Sequence, residues 1–326
     1  MKNLSTNIVS RQKKAIMSFL VLVLVLTAAI STLPAAAKSC DEYLADAKSG
    51  DANAQLEVGL CYMIGEEFKQ NYSTGISWIK KSANQDYAEA QYYMGLIYMQ
   101  GAGVERNFSI AAKWFQKAAD QGHTGSQNNL GRFYEEGNGV SQDYNKAAEL
   151  YLSAANQGHG GAQDNLGWLY ENGFGVKQDY DEAAKWYIAS AEQGIYEAMN
   201  DLGSLGSRFM HGDGVPKDFE KGFEWVKIAG ENGLAIACCE IAGLYKEGDG
   251  VQQDFMQAGT WYKKAAYAVI DEGNYYLSQG DFQTASYYFD HIENYFLMAK
   301  ECYEIAANAG NTEAAAEVAY LIKKGY

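Results

Sequence analysis

The pattern nearest to a catalytic motif is Ser77-Trp78-Ile79-Lys80, which matches the S-x-x-K sequence of penicillin-recognising serine enzymes. That chemistry needs a serine at a helix start beside the lysine, completed by S-D-N and K-T-G sequences elsewhere. The chain has neither companion sequence, and Trp78 belongs to a periodic aromatic column. We therefore interpret the match as a coincidence and predict no catalytic residue.

Five cysteines lie beyond residue 37: Cys40, Cys61, Cys238, Cys239 and Cys302. No C-x-x-C sequence or His/Cys pair has the spacing of metal ligands, so we predict neither a metal site nor a cofactor. Cys40 and Cys61 lie about equally far on either side of Gly50, and an antiparallel helix pair turning there would bring them face to face. We predict a disulfide between them, whereas the other three cysteines fill packing positions.

Three further patterns are better explained as turns and caps. Gly101-Ala-Gly103 follows no strand, so it is a turn between helices and not a phosphate loop. Asn71 and Asn107 fit the glycosylation sequence, but both stand where a helix N-cap is expected. His123 and His159 are one period apart and could share a metal, yet no further ligands accompany them.

The elements that position these residues recur every 36 residues. Three columns of similar residues define the period, and all three shift by three residues between the fourth and fifth units, which predicts one insertion near Gly203 to Arg208. The columns are Tyr62, Tyr98, Tyr134, Tyr170, Phe209 and Tyr245; then Asn71, Asn107, Asp143, Asp179, Asp218 and Asp254; then Trp78, Trp114, Leu150, Trp186, Trp225 and Trp261. Such self-similarity predicts a stack of small units, not one globular core.

The unit from His159 to Gly194 predicts a helical hairpin. Apolar residues at helical spacing run from Ala162 to Tyr170, and Asp179 has the character of an N-cap for a second helix. One position of the first helix accepts only tiny side chains, which implies close helix-helix approach. That position holds Gly59, Gly95, Gly131, Gly167, Gly203 and Ala242.

Taken together, these residues resemble the Sel-1-like repeat, a relative of the tetratricopeptide repeat. The matching residues are Ala162-Gln163, Leu166-Gly167, Tyr170, Gly173-x-Gly175-Val176, Asp179-Tyr180, Ala183, Trp186-Tyr187 and Gln193-Gly194. The resemblance spans residues 50–266 in six units and implies an all-α, right-handed superhelical solenoid. We expect a capping helix over 38–49, a degenerate seventh repeat over 267–310 and a C-terminal capping helix over 311–326.

The first 37 residues have the layout of a secretory signal peptide. Arg11, Lys13 and Lys14 precede an apolar run over 15–30, and three alanines ending at Ala37 supply a cleavage site. A membrane anchor is the rival interpretation, but the run is shorter than the roughly 20 residues that a spanning helix needs. We therefore expect cleavage after Ala37, a periplasmic or secreted protein, and no membrane span in the remainder.

The charge balance restricts the partners. The formal net charge is −15, and the leader contains four basic residues and no acidic one, so cleavage makes the chain more acidic. Nucleic-acid binding depends on neutralising phosphates with Lys and Arg, so nucleic acid is excluded as a partner class. We expect a monomer that binds a protein or peptide.

The resemblance also implies where a partner binds. In tetratricopeptide-type arrays the first helices line a concave groove, and side chains two before and two after the Leu of Leu-Gly point into it. Here these are Tyr92, Leu96, Asn128, Arg132, Asp164, Trp168, Asn200 and Ser204. The predicted function is a non-catalytic interaction scaffold. The alternatives are a β-lactam-binding protein or weak β-lactamase, and a lumenal quality-control adaptor.

Overall fold

The structure, a computed structural model, describes residues 38–65, 67–278 and 280–326, so the predicted signal peptide lies outside it. The described residues contain helices and no β-strand, which confirms the all-α prediction. The first eight helices are α1 Cys40–Ser49, α2 Ala52–Ile64, α3 Tyr72–Ala83, α4 Ala88–Gln100, α5 Phe108–Asp120, α6 Thr124–Glu136, α7 Tyr144–Ala155 and α8 Gly160–Asn172. The next eight are α9 Tyr180–Ala191, α10 Tyr196–His211, α11 Phe219–Glu231, α12 Ala235–Glu247, α13 Phe255–Ser278, α14 Phe282–Phe289, α15 Ile292–Asn308 and α16 Thr312–Lys324.

The chain divides into two compact units. Unit 1 comprises the described residues up to Ala162 together with Phe174–Val176, and unit 2 comprises Gln163–Gly173 and Lys177–Tyr326. In each complete repeat the first helix, called the A helix here, pairs with the second, the B helix. The A helices of unit 1 are α2, α4 and α6, and its B helices are α3, α5 and α7.

Side-chain caps fix where the B helices of unit 1 begin. Oδ1 of Asn71 accepts a hydrogen bond from the amide of Thr74 at 3.0 Å, and Oδ1 of Asn107 does the same for Ile110 at 3.0 Å. These bonds satisfy amides that a helix start would otherwise leave unpaired. The Asn/Asp column therefore has the capping role predicted from the sequence.

Close packing of one glycine against one ring joins the two helices of a hairpin. A Cβ added to Gly131 in α6 would lie 2.7 Å from Cε1 of Tyr151 in α7, and Tyr151 is fully buried. In unit 1 the core position is thus the residue after the predicted aromatic column, whereas Trp225 and Trp261 of that column are buried in unit 2. The column's Trp78 and Trp114 are only half-buried, and the ammonium groups of Lys81 and Lys117 lie 3.9 and 4.7 Å from their ring centres.

In unit 2, the prediction that Gly203 occupies the small-residue position of the fifth repeat is wrong. A Cβ on Gly206 would lie 2.7 Å from the carbonyl oxygen of Gly222 in the partner helix, whereas the nearest atom for Gly203 is Cδ2 of Leu234. The helix α10 has 16 residues where α8 has 13. Three extra residues make nearly one helical turn, so the helix absorbs them and keeps its second half in register.

The B helix of the sixth repeat continues beyond Ala266. Ala268 and Val269 stand where the second repeat has Gln121 and Gly122, so nothing terminates the B helix and α13 continues to Ser278. Its second half packs on α14, with Phe289 against Gly273.

The predicted disulfide is present and joins α1 to α2. The Cα atoms of Cys40 and Cys61 are 6.2 Å apart, within the usual range for a disulfide. Cys238, Cys239 and Cys302 are free thiols, of which Cys239 is half-buried and the other two are buried. Among the described helices, none is both long and apolar enough to cross a membrane.

Candidate partner-binding surface

The A helices α4 and α6 of unit 1 present a continuous polar and aromatic surface, which we call the unit 1 face. The ring of Tyr92 lies over that of His123 with centroids 4.7 Å apart, and Nε2 of His123 lies 2.9 Å from Oε2 of Glu89. Burial raises the pKa of the Tyr92 phenol, so this side chain is neutral across the physiological range. These contacts fix α4 against the start of α6.

Arg132 is the cationic side chain of the unit 1 face. Its Nη2 lies 4.0 Å from Sδ of Met99 on α4, and its Nε lies 3.9 Å from Oε1 of Glu136 one turn further on. The side chain is one-third exposed. The guanidinium therefore spans two A helices and remains open to a ligand, and the half-buried Asn128 lies one turn before it.

Two of the predicted groove residues contribute to packing instead. Leu96 is 6% exposed and belongs to the hydrophobic core of unit 1, and Asp164 is 6% exposed in unit 2. Both belong to an A helix, whose surface is buried on most sides by its neighbours. These two predicted groove residues are therefore buried.

The groove positions predicted for the fifth repeat of unit 2 also change. In the repeat register, Leu205-Gly206 takes the place that was predicted for Leu202-Gly203. The groove positions of this repeat are therefore Gly203 and Ser207 in place of Asn200 and Ser204. Oγ of Ser207 donates to Oε1 of Glu240 on the next A helix at 2.8 Å. Asn200 and Ser204 are exposed, and Trp168 of α8 is half-buried.

Part of the A-helix surface of unit 2 is covered by the chain's own residues. The cover consists of Ala268–Ser278 and Phe282–Phe289. Tyr288 of the cover has its hydroxyl 3.4 Å from that of Tyr196 on α10, and Tyr288 also packs in a cluster with Ala235 of α12. The cover therefore contacts the first residues of α10 and α12, whereas the predicted groove residues Asn200 and Ser204 are exposed.

A ladder of glutamine side chains ties successive repeats of unit 1 together. Gln91 is fully buried, and its Nε2 donates to the carbonyl oxygen of Ala83 at 3.2 Å while its Oε1 accepts from Gln121 at 2.8 Å. Gln55 with Gln85, and Gln127 with Gln157, repeat the side-chain bond at 2.8 and 3.0 Å. Sequence reasoning missed this ladder, although the glutamines recur with the 36-residue period.

The two histidines of unit 1 are helix caps. Nδ1 of His123 accepts from the amide of Ser126, and Nδ1 of His159 accepts from that of Ala162, both at 3.1 Å. Burial lowers the pKa of His159, and the nearby His123 lowers it further. Within the described ranges, no group of three or more His, Cys, Asp or Glu side chains is placed to hold a metal ion.

The serine-enzyme motif has the wrong placement for catalysis. Ser77 lies in the middle of α3, and both Ser77 and Lys80 are exposed on that helix. A nucleophile of this type requires a helix start and converging partners.

Repeated helical hairpins with one open side define a helical-repeat protein. The family model described as "Sel1 repeat" matches residues 52–87, 88–123, 124–159, 161–195, 197–234, 235–268 and 294–311. The chain therefore belongs to the Sel1 repeat family. Proteins of this family generally act as scaffolds for protein–protein interaction, and the family is typically non-catalytic.

Two solved structures are similar to this chain. One is c5321 of uropathogenic Escherichia coli, a protective antigen with an SLR fold, at 32% identity and a TM-score of 0.61 over 89% of this chain and 60% of that one. The other is a Sel1 repeat protein from Oxalobacter formigenes, at 32% identity and a TM-score of 0.50 over 68% of this chain and 89% of that one. The chain thus spans 60% of the length of the E. coli protein. Comparison with curated protein sequences gave no match.

Proposed function

We propose that this protein is a non-catalytic scaffold that captures a protein or peptide partner on the unit 1 face. The observation that carries the proposal is the arrangement of Tyr92, Asn128 and Arg132, which are half-buried. Contacts of Tyr92 with His123 and of Arg132 with Met99 hold two of these side chains between adjacent repeats. A preformed surface loses little side-chain entropy when a partner docks. Tyr and Arg are also the side chains that most often dominate binding energy at interfaces.

We further propose that the protein works outside the cytoplasm, in a periplasm or the extracellular space. The Cys40–Cys61 disulfide supports this location, because disulfides persist in oxidising compartments. The description of the E. coli relative as a protective antigen agrees with a protein that leaves the cytoplasm.

The acidity of the chain favours a basic or polar partner. A formal net charge of −15 attracts cationic surfaces over long range and repels other acidic proteins. Most of this effect is on the association rate, so it weakens as ionic strength rises.

Replacing Arg132 by alanine tests the proposal. We expect Arg132→Ala to weaken capture of the partner about tenfold or more, as for an interface hot spot, with little change in the melting temperature. The matched control is Lys113→Ala, which removes an exposed cation from the B helix α5 of the same unit. Equal capture by Arg132→Ala and Lys113→Ala, measured by calorimetry or surface binding, would remove the unit 1 face as the docking surface.

A further inference from the structure

Glu272 is a buried carboxyl group that caps a helix other than its own. It is 6% exposed on α13, and its Oε1 accepts a hydrogen bond from the backbone amide of Ala235 at 3.0 Å. Ala235 is the first residue of α12, whose N-cap residue Leu234 supplies no side-chain bond. The carboxyl group therefore satisfies an amide that α12 would otherwise leave unpaired.

This bond attaches the cover to the A-helix surface of unit 2. Glu272 belongs to the cover, and Val269 one turn earlier packs with Ala235 in one apolar cluster. Rings of the cover add contacts to α10, since Tyr275 lies 6.4 Å from Tyr196 between centroids. Separating the cover from α10 and α12 therefore exposes Glu272 to water.

The titratable groups that face Glu272 are phenols and thiols. They come from the helices packed around it: Tyr196 of α10, Cys238 and Cys239 of α12, Tyr276 of α13 and Tyr295 of α15. Burial raises the pKa of Cys239 to about 11 and that of Cys238 to about 12. Phenols ordinarily titrate near 10, so these groups stay neutral where a carboxyl group can change charge.

Burial raises the pKa of Glu272 from 4.5 to about 7, although the hydrogen bond from Ala235 lowers it in part. A carboxyl group whose pKa is raised by folding stabilises the folded state. This stabilisation is complete when the pH is below the pKa of the group in the unfolded chain. That contribution is lost as pH rises from the unfolded pKa to the folded one. The stability of the closed cover therefore depends on pH between pH 4.5 and about pH 7, and it changes little with pH above this range.

We propose that Glu272 makes the cover a pH-responsive clasp, held on α10 and α12 in mildly acidic solution and released more readily at neutral pH. Release uncovers Tyr196 and Ala235, the first residues of these two helices. The proposal concerns unit 2 and does not depend on the docking role assigned to the unit 1 face.

Hydrogen exchange read by mass spectrometry tests the clasp. After correction for the intrinsic effect of pH, the opening constant for α14 and for the start of α12 is expected to rise roughly tenfold or more from pH 5 to pH 7.5. Peptides of α16 are expected to show no such rise. An unchanged opening constant for α14 in the unaltered protein, or an equal rise throughout unit 2, would overturn the proposal.

The variant Glu272→Gln isolates the charge, because glutamine keeps an acceptor for the Ala235 amide and cannot ionise. We expect its opening constant to be independent of pH. Two controls accompany it: Glu293→Gln removes an exposed carboxyl group from α15, and His291→Gln removes a histidine whose ring contacts Tyr287. Both are expected to keep the pH response. A response that survives in Glu272→Gln, or that disappears in His291→Gln, contradicts the assignment.

Discussion

At the level of single residues, the hairpins depend on a glycine at the helix-helix contact. Gly131 and Tyr151 approach so closely that the space of a methyl group is already filled by the ring. Tyr151 also donates from its hydroxyl to Oε2 of Glu135 at 2.6 Å, which limits how far the ring can move. The glycine is retained despite its cost in a helix because the ring occupies that space.

Replacing Gly131 by alanine is therefore expected to destabilise the protein. Overpacking costs about 1–3 kcal/mol, against a gain in helix propensity of about 1 kcal/mol. We predict a net loss of roughly 1 kcal/mol in the free energy of unfolding, measured by denaturant titration.

Gly243 of α12 is the matched control, because a Cβ there meets nothing within 4 Å. Gly243→Ala is expected to stabilise by about 0.5–1 kcal/mol. If both alanine variants stabilise the protein, the account of the glycine contact is incorrect.

At the scale of elements, buried amides fix how one repeat follows the next. Each ladder glutamine of unit 1 reaches back to the end of the preceding helix and accepts a bond from a second glutamine 30 residues later. An apolar contact tolerates sliding, whereas a pair of directional bonds does not. The ladder thus sets the register of stacking.

The variant Gln91→Met tests the ladder with little change in volume. It removes the hydrogen bonds of Gln91 to the Ala83 carbonyl and to the Gln121 side-chain amide. We therefore expect a loss of about 1–3 kcal/mol in the free energy of unfolding. Gln116→Met is the control, because Gln116 is exposed on α5 and bonds only within its own helix. If Gln91→Met lowers the free energy of unfolding no more than the control does, the ladder does not contribute to stability.

The elements were more predictable than the register between them. Column spacing predicts Asn71 and Asn107 as caps, and the position of Gly50 predicts the Cys40–Cys61 disulfide, because both depend on local geometry. The placement of Gly206 could not be derived in the same way. An insertion of about one helical turn can be absorbed anywhere in α10, and only packing on Gly222 decides where.

The candidate surface was predictable in type and only partly in detail. The resemblance to tetratricopeptide-type arrays implies that Tyr92, Asn128 and Arg132 line a groove, and these residues are half-buried. It does not reveal that Leu96 and Asp164 are buried, since that depends on neighbouring repeats. It also does not reveal the cover, because Tyr288 lies 92 residues from Tyr196.

At the level of the whole molecule, the residues that hold the hairpins differ from those proposed to bind a partner. In unit 1 the glycine contacts, the ladder and the disulfide hold the hairpins, and the unit 1 face is the proposed docking surface. In unit 2 the cover packs on the first residues of α10 and α12. We therefore expect a partner to contact A helices of unit 1 in preference to B helices.

Site-specific photo-crosslinking tests this claim most directly. A photoreactive amino acid placed at Asn128 on α6, and separately at the exposed Glu149 on α7, compares an A helix with a B helix of the same unit. We predict one discrete crosslinked partner from position 128 and none from position 149. Crosslinks to the same partner from 149 alone, or with equal yield from both positions, would contradict the assignment of the unit 1 face.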